Sequence, residues 1–266
     1  MSVWSYEGKK VVVAGCYSGM GAATAKELIR LGAVVHGADI REVDLPLASY
    51  TKLDLSDPAS IDAAADAMGD GIAALFNCAG LPQTFPAVEV MKVNFIGLRQ
   101  WTERLVPRMK QGGAIVSIAS TAGPMYGNHA AECRELIAAP DFASGVKWVE
   151  AHTELVGNGY GFSKEVLIAY TLQRAAELAK QGLRMNVTMP APTATPMWAD
   201  HFSKLVPEDR VAFVMEPMGR FSTPEEQAYP LIFLNSQAAS FVNGHALATD
   251  GGFLGGMAVG AIKPPW

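Results

Sequence analysis

The sequence predicts one α/β domain built on a doubly wound parallel sheet, with helices covering both faces of that sheet. Apolar runs typical of buried strands alternate with segments of helical spacing along almost the whole chain. Strands of one sheet that are joined through helices run parallel, and their crossover helices cover both faces. No Gly-, Ser- or Pro-rich linker and no internal repeat divides the 266 residues, so we expect a single domain over residues 1–266.

Seven short apolar runs are predicted to form the strands. The first holds three consecutive valines and stops at Gly15, and the second ends at Asp39. In chain order the predicted strands are Lys9–Ala14, Ala33–Ala38, Thr51–Leu55, Ile72–Phe76, Gly113–Ala119, Leu183–Thr188 and Ala246–Thr249.

Four segments between these strands have apolar residues at helical spacing. The first helix ends at Gly32, a residue typical of helix C-termini. The second begins after Asp57, with Pro58 in its first turn. The predicted helices are Met20–Leu31, Pro58–Met68, Val88–Lys110 and Gly161–Lys180.

Composition excludes several classes of function. The net charge is -5 and no basic run interrupts it, which argues against nucleic-acid or anionic-membrane partners. No apolar stretch approaches the roughly 20 residues that cross a bilayer, and the first ten residues lack a signal-peptide core. Cys16, Cys78 and Cys133 fit neither a metal site nor a disulfide framework. We expect a cytoplasmic protein without a metal site.

A glycine-rich loop lies between the first predicted strand and the first predicted helix. Gly15, Gly19 and Gly21 are spaced GxxxGxG, with Ser18 and Met20 between them. Glycines let the backbone approach a pyrophosphate, and the helix N-terminus offers N–H groups and a positive dipole end. A tight turn is the alternative, but the position after the first strand favours a Rossmann-type dinucleotide site.

Asp39 follows the second strand, where a carboxylate can accept both ribose hydroxyls of an adenosine. It would also repel a 2′-phosphate, because two charges about 4 Å apart cost about 4 kcal/mol at an effective dielectric of 20. Arg41 could offset this, although we expect it to be solvated. The pattern favours NAD over NADP. Asp54 and Leu55 are expected at the adenine, with helix capping as the alternative for Asp54.

Tyr160 and Lys164 are four residues apart near the start of a predicted helix, so their side chains share one face. An ammonium group near a tyrosine favours the phenolate and lowers its pKa. Such a tyrosine can exchange a proton with an alcohol or ketone during hydride transfer. Tyr6 and Lys10 have the same spacing but lie around the start of the first strand and on no predicted helix. The spacing therefore indicates acid–base chemistry only when it lies on a helix after the fifth strand.

These motifs, in this order, resemble the short-chain dehydrogenase/reductase family over nearly the whole chain. Ala14–Gly21 is similar to the family's glycine loop, and Asn77–Gly80 is similar to its Asn-Asn-Ala-Gly turn. Asp250–Gly252 is similar to a C-terminal signature. The resemblance implies a catalytic tetrad and a set of cofactor contacts. The tetrad is Asn94, Ser120, Tyr160 and Lys164, and the further cofactor contacts are Asn77, Ala79, Gly80, Pro190, Thr193 and Thr195, together with Tyr160 and Lys164 themselves.

The resemblance also implies a role for individual residues. Ser120 would hold the substrate oxygen, Lys164 would also bind the nicotinamide ribose, and Asn94 would hold a water in a proton relay to Lys164. Thr193 and Thr195 would contact the carboxamide and the pyrophosphate. One departure is Ala191, which stands where the family has a glycine.

The second departure is an insertion at residues 124–157, which separates Ser120 from Tyr160 by forty positions. Residues 131–139 and 142–155 have helical spacing, so we expect an ordered helical insertion beside Tyr160 that influences which alcohol reaches it. A similar insertion occurs in the branch of the family that includes bacterial 3α-hydroxysteroid dehydrogenase/carbonyl reductase and coniferyl-alcohol dehydrogenase. That resemblance suggests a homodimer or homotetramer with an altered interface.

The substrate loop is predicted at residues 193–222. Its large apolar residues favour a bulky apolar or aromatic secondary alcohol or ketone, with simple core packing as the alternative. They are Met197, Trp198, Phe202, Phe213, Met215 and Met218. His129 and His152 are expected at the surface, and the apolar tail 253–266 is expected to cover a pocket or a neighbouring subunit. Two other functions stay open: an NADP-linked carbonyl reductase, and a non-catalytic dinucleotide sensor on the same fold.

Overall fold

A computed structural model describes residues 2–205 and 207–263. Its sheet has seven parallel strands in the order β3-β2-β1-β4-β5-β6-β7. The chain therefore moves outward from β1 and then returns to pair β4 with β1, which makes the sheet doubly wound, as predicted. The strands are β1 Lys10–Ala14, β2 Val34–Asp39, β3 Ser49–Lys52, β4 Ile72–Asn77, β5 Met109–Ile118, β6 Arg184–Pro190 and β7 Ala246–Thr249.

Twelve α-helices lie within the described residues, and none of those helices is both long and apolar enough to span a membrane. They are α1 Gly19–Arg30, α2 Pro58–Met68, α3 Ala87–Met91, α4 Leu98–Leu105, α5 Ala130–Ile137, α6 Phe142–Ala151, α7 Thr153–Val156, α8 Tyr160–Ala179, α9 Pro196–Asp200, α10 Glu208–Val214, α11 Pro224–Asn235 and α12 Phe253–Ala258.

Both faces of the sheet are buried. In β1, Val12 and Ala14 point into the core formed with α2, α4 and α8, while Val11 and Val13 point into the core formed with α1 and α11. Side chains alternate between faces along a strand, so a continuous apolar run is what a strand covered on both sides requires.

Three predicted elements were wrong in extent, and one of them is the fifth strand, which begins at Met109 rather than at Gly113. The third strand is Ser49–Lys52 rather than Thr51–Leu55, because Leu53 and Leu55 bend into the core ahead of α2. The single helix predicted over Val88–Lys110 is divided into α3, a π-helical segment at Lys92–Gly97 and α4, and Lys110 already belongs to β5. Apolar spacing predicts a helical region but does not reveal a change of its pitch.

Helix α11 was not predicted, although it is the crossover between β6 and β7. It begins with a capping box, in which Thr223 and Glu226 each bond the other's backbone N–H. It packs in the α1-side core, where the buried Tyr6 hydroxyl donates to the Ile232 carbonyl at 2.7 Å. Tyr6 is therefore a core residue. The Thr223–Glu226 spacing was the sequence signal that could have located this helix.

The insertion is ordered and forms α5, α6 and α7, as its spacing predicted. Two polar contacts attach it to the domain. Arg99 of α4 donates to the carbonyls of Leu136 and Ile137, at the C-terminus of α5. His129 meets Glu165 of α8 at 2.6 Å. A cation at a helix C-terminus satisfies carbonyls that have no partner within the helix.

Arg99→Met is expected to lower the free energy of unfolding by about 1–3 kcal/mol, because two partly buried carbonyls lose their donor. Urea denaturation followed by circular dichroism measures this. Arg104→Met on the same helix is the matched control. Arg104 forms exposed ion pairs with Asp62 and Asp66, so its loss should cost about 1 kcal/mol or less. Equal effects of the two variants would contradict the anchoring role of Arg99.

Candidate active site

Two adjoining clefts open at the carboxyl ends of the strands, where the order of the sheet reverses between β1 and β4. The first cleft has a volume of about 490 Å³, and most of the residues predicted to bind a dinucleotide line it. These are Gly15, Ser18, Gly19, Met20, Gly21, Asp39, Asp54, Leu55, Ala79, Gly80 and Thr195.

The glycine loop leaves no room for side chains. Gly15 has a φ of +83°, and a methyl group on it would overlap the backbone of Ala79. A methyl group on Gly21 would overlap the carbonyl of Gly15. Helix α1 begins at Gly19 with no side-chain cap from Ser18, so its N-terminal N–H groups face this cleft. The loop therefore fits a pyrophosphate in shape and charge.

The Asp39 carboxylate is held from both sides. One oxygen accepts the backbone N–H of Tyr17 at 2.9 Å, and the other accepts that of Arg41 at 3.1 Å. Arg41 is exposed, as predicted, and its guanidinium lies over the exposed Tyr17 ring, 5.1 Å from its centre. Each carboxylate oxygen keeps a further lone pair for a ribose hydroxyl.

Asp54 does not cap helix α2. Its carboxylate accepts the backbone N–H and the hydroxyl of Ser56, whereas Asp57 caps α2. Asp54 also lines the first cleft. Helix capping was therefore the wrong alternative, and the predicted contact with adenine stays a prediction.

The second cleft, of about 280 Å³, contains the predicted acid–base group. Ser120, Tyr160 and Lys164 line it. Pro190, Thr193 and Thr195 line the side that follows β6. Met20, Ala79, Gly80 and Thr195 line both clefts, so the two are continuous. A ligand extended from Asp39 across the glycine loop would end beside Tyr160.

Lys164 is buried, with 5% of its surface exposed, and its ammonium donates to the carbonyl of Ile118 at 2.9 Å. This bond ties α8 to the end of β5. Burial disfavours the charged form and lowers the pKa of Lys164 to about 8. The ammonium lies 5.6 Å from the centre of the Tyr160 ring.

The pKa of Tyr160 changes in the opposite direction from the one predicted. Burial raises the pKa of Tyr160 above the ordinary value of 10, and the interaction with Ser120 lowers it by less. Desolvation of the phenolate is therefore the larger effect on this pKa. Ser120 and Tyr160 line the same cleft despite the forty residues between them, because the insertion leaves the end of β5 and the start of α8 adjacent.

Asn94 lies in the π-helical segment and has no place in the lining of either cleft. Its amide accepts the N–H of Leu81 at 2.7 Å and donates to the Leu81 carbonyl at 3.0 Å. It also donates to the hydroxyl of Ser163 at 3.2 Å. Gly80 lies between Asn94 and Lys164, and a methyl group on it would crowd the Asn94 amide oxygen at 3.3 Å while reaching only ordinary contact with the Lys164 ammonium. Local π-helical winding is frequent at functional sites.

Several predicted residues lie elsewhere. The Asn77 side chain is buried beneath the cleft and donates to Thr102 and Ser117, so it fixes strands instead of facing a ligand. Among the described residues, none from 124–157 lines the second cleft, so the insertion does not lie at the mouth beside Tyr160. His129 and His152 are bonded to Glu165 and to the Trp148 carbonyl, away from both clefts.

Half of the large apolar residues of the predicted substrate loop line the cleft that contains Tyr160, and the assignment of this loop to substrate binding stays a prediction. Met197, Trp198 and Phe202 line the second cleft. Phe213 instead packs against Phe253, so the described part of the tail covers its own chain. Met215 and Met218 line a separate cavity near Gly251. The spacing of apolar residues could not distinguish the side chains that line the cleft from those that pack elsewhere, because both kinds are large and apolar.

Some lining residues were not predicted. Tyr17, Leu81 and the Ile118 carbonyl act through the backbone or through stacking, and Ser163 acts through Asn94. Backbone contacts leave no mark on residue type, which explains three of these omissions. Ser163 directly precedes Lys164, so its position was the available signal.

Comparisons with known proteins agree with this geometry. A family model described as short chain dehydrogenase matches residues 9–132, and one described as enoyl-(acyl carrier protein) reductase matches residues 149–254. The gap between them lies inside the insertion. Coniferyl-alcohol dehydrogenase of Pseudomonas sp. is 31% identical over 245 residues, 92% of this chain and 96% of that protein.

Two further relatives match over similar lengths. The 3-alpha-hydroxysteroid dehydrogenase/carbonyl reductase of Comamonas testosteroni is 32% identical over 246 residues, 91% of this chain and 95% of that protein. The crystal structure of the 3-alpha-hydroxysteroid dehydrogenase from Pseudomonas sp. B-0831 complexed with NADH is 28% identical, with a TM-score of 0.79. That alignment covers 94% of this chain and 98% of the other.

The lowered pKa of Lys164 predicts a pH-dependent stability difference between the protein and its Lys164→Met variant. Between about pH 8 and the unfolded value near 10.4 the unfolded lysine binds more protons than the folded one, so its contribution becomes more favourable as pH rises. The free energy of unfolding of the unmodified protein, minus that of the variant, should therefore increase with pH over this range. Urea denaturation at pH 7.5, 8.5 and 9.5 measures the difference, and a constant difference would contradict it.

Proposed function

Because the chain belongs to the short-chain dehydrogenase/reductase family and is an oxidoreductase of that family, we propose that it interconverts a bulky apolar or aromatic secondary alcohol and its ketone with NAD. The observation that carries this proposal is one aromatic cleft that holds Ser120 and Tyr160 and continues into the cleft of the glycine loop. The motif-based prediction of the family is confirmed by the relatives. The substrate class and the nucleotide are the parts proposed.

The proposed chemistry uses Tyr160 as the group that exchanges a proton with the substrate oxygen. The Ser120 hydroxyl lines the same cleft as the Tyr160 hydroxyl and can hold the same substrate oxygen. When a nicotinamide dinucleotide is bound, it supplies the hydride acceptor or donor. Lys164 keeps a positive charge near the phenolate while bonded to Ile118, and this favours loss of the tyrosine proton.

Asn94 and Gly80 help to position Lys164 and the backbone beside the cleft. The Asn94 amide fixes the backbone of Leu81, and Gly80 lets the asparagine and lysine approach the same space. A water relayed from Asn94 to Lys164 remains a proposal that the family resemblance supports. General acid–base catalysis of this type is worth about 10²–10⁴-fold.

The cleft favours a neutral substrate with a flat or ring-shaped apolar body. Trp198 and Phe202 are stacked with ring centres 5.8 Å apart, and Phe202 meets the Tyr160 ring edge-on at 5.1 Å. Among the described lining residues Lys164 alone is charged, and its ammonium is already bonded. A charged substrate would lose hydration without a partner. The names of relatives, coniferyl-alcohol and 3-alpha-hydroxysteroid dehydrogenase, support a ring-bearing alcohol.

Asp39 supports NAD as the cofactor. Its carboxylate is fixed by Tyr17 and Arg41, so it cannot turn away from a 2′-phosphate without losing two hydrogen bonds. The steroid dehydrogenase relative was crystallised with NADH, which also supports NAD. The alternative is an NADP-linked carbonyl reductase, which the nearby Arg41 guanidinium favours. The crystal structure of a putative NAD(P)-dependent gluconate 5-dehydrogenase from Beutenbergia cavernae contains NADP at low occupancy.

Tyr160→Phe is expected to reduce turnover of aromatic or cyclic secondary alcohols by at least a hundredfold, because it removes the proton-exchanging hydroxyl. Equilibrium titration should show cofactor binding within about threefold of the unmodified protein. Tyr6→Phe is the matched control, since Tyr6 and Lys10 share the spacing but Tyr6 lies in the core. It should keep full turnover. Retained turnover in Tyr160→Phe would show that another group exchanges the proton.

Asp39→Asn is expected to shift the ratio of kcat/KM for NAD⁺ over NADP⁺ toward NADP⁺ by more than tenfold, because it removes the charge that repels the 2′-phosphate. Initial rates with each nucleotide measure the ratio. Glu42→Gln removes an equal charge from the exposed neighbouring loop and serves as control. A preference for NADP⁺ in the unmodified protein would contradict the assignment of NAD.

A further inference from the structure

We infer that His201 and Thr84 form a latch that closes a short strap over the dinucleotide cleft and slows the release of the cofactor. The strap is residues 195–201, which comprise α9 with one flanking residue on each side. None of the α9 side chains is fully buried, so this helix has no anchor in the core. The Trp198 ring packs against Phe202 and Phe221, and the remaining attachments are at the two ends of the strap. The inference goes beyond the proposed dinucleotide site but depends on that site.

One end of the strap is attached beside the glycine loop. The Thr195 methyl lies 3.3 Å from the position that a side chain on Gly19 would occupy. The Thr195 hydroxyl accepts the N–H of Trp198 at 3.4 Å and caps α9. Thr195 lines both clefts, so the strap starts where the two clefts join.

The other end reaches the opposite wall of the first cleft. Nδ1 of His201 lies 2.8 Å from the Thr84 hydroxyl, in the loop that follows β4. The His201 ring also lies against the Phe85 ring, with centres 5.7 Å apart. Phe85 and His201 both line the first cleft, together with Pro196, Met197 and Asp200 of the strap. The bond therefore joins the two walls across the opening.

This arrangement places the latch on the exit path of the proposed ligand. A dinucleotide bound along Asp39 and the glycine loop would lie beneath the strap, so the strap must lift before the cofactor leaves. The Thr84–His201 bond is exposed to solvent, so it contributes modestly. Breaking it should speed release about three- to fivefold, which corresponds to about 0.6–1 kcal/mol. Opening of such lids often limits turnover.

The test is stopped-flow measurement of NADH dissociation, with excess NAD⁺ as the trap, in the unmodified protein and in Thr84→Val, His201→Ala and the double variant. Each single variant should release NADH about three- to fivefold faster. The double variant should release it no faster than His201→Ala, because both changes break one contact. Thr84→Ser keeps the hydroxyl and should restore the slow rate.

Ser203→Ala is the matched control. Its hydroxyl donates to the Ala199 carbonyl at 2.8 Å within the same segment and does not reach the opposite wall. It should leave the release rate unchanged. Release rates of Thr84→Val and His201→Ala equal to that of the unmodified protein would overturn the latch while leaving the dinucleotide site intact. Failure of the unmodified protein to bind NADH or NADPH would overturn both the latch and the proposed function.

Discussion

The arrangement of the active site depends on one buried hydrogen bond, from the Lys164 ammonium to the carbonyl of Ile118. That bond joins the start of α8 to the end of β5, and so places Tyr160 next to Ser120 although forty residues lie between them. Burial makes the charged lysine costly, which its lowered pKa records. The absence of a side chain on Gly80 leaves room beside this lysine for the Asn94 amide of the π-helical segment.

The sequence was sufficient to predict the doubly wound sheet and the shared cleft of Ser120, Tyr160 and Lys164, because residue type and order indicate both. Valine-rich strands mark a sheet buried on both faces, and the glycine loop needs residues without side chains. The π-helical segment could not be predicted, since its apolar spacing over six residues differs little from that of an α-helix. The Asn77 side chain was predicted to face the cofactor but points into the core. An amide at the end of a strand can turn either way, and the direction depends on packing that the sequence does not show.

The insertion shows how a large change of sequence can leave a site intact. It packs on the outer side of α4 and α8 through Arg99 and through the pair of His129 with Glu165, so its helices add to the body of the domain. The shape of the substrate cleft comes instead from the loop after β6, where Trp198 and Phe202 lie against Tyr160. In the proposed function and the proposed latch, substrate specificity and cofactor retention both depend on this loop, while the sheet and α8 position Ser120, Tyr160 and Lys164.

Hydride transfer itself is the central claim, and isotope transfer tests it most directly. The protein is incubated with NAD⁺ and an aromatic secondary alcohol deuterated at the carbinol carbon, and the reduced nicotinamide is examined by mass spectrometry and NMR. The account predicts that one deuterium appears on the nicotinamide ring, on a single face, together with the ketone. Ketone or NADH formed without deuterium on the ring, or no reaction with any alcohol of this class, would contradict it.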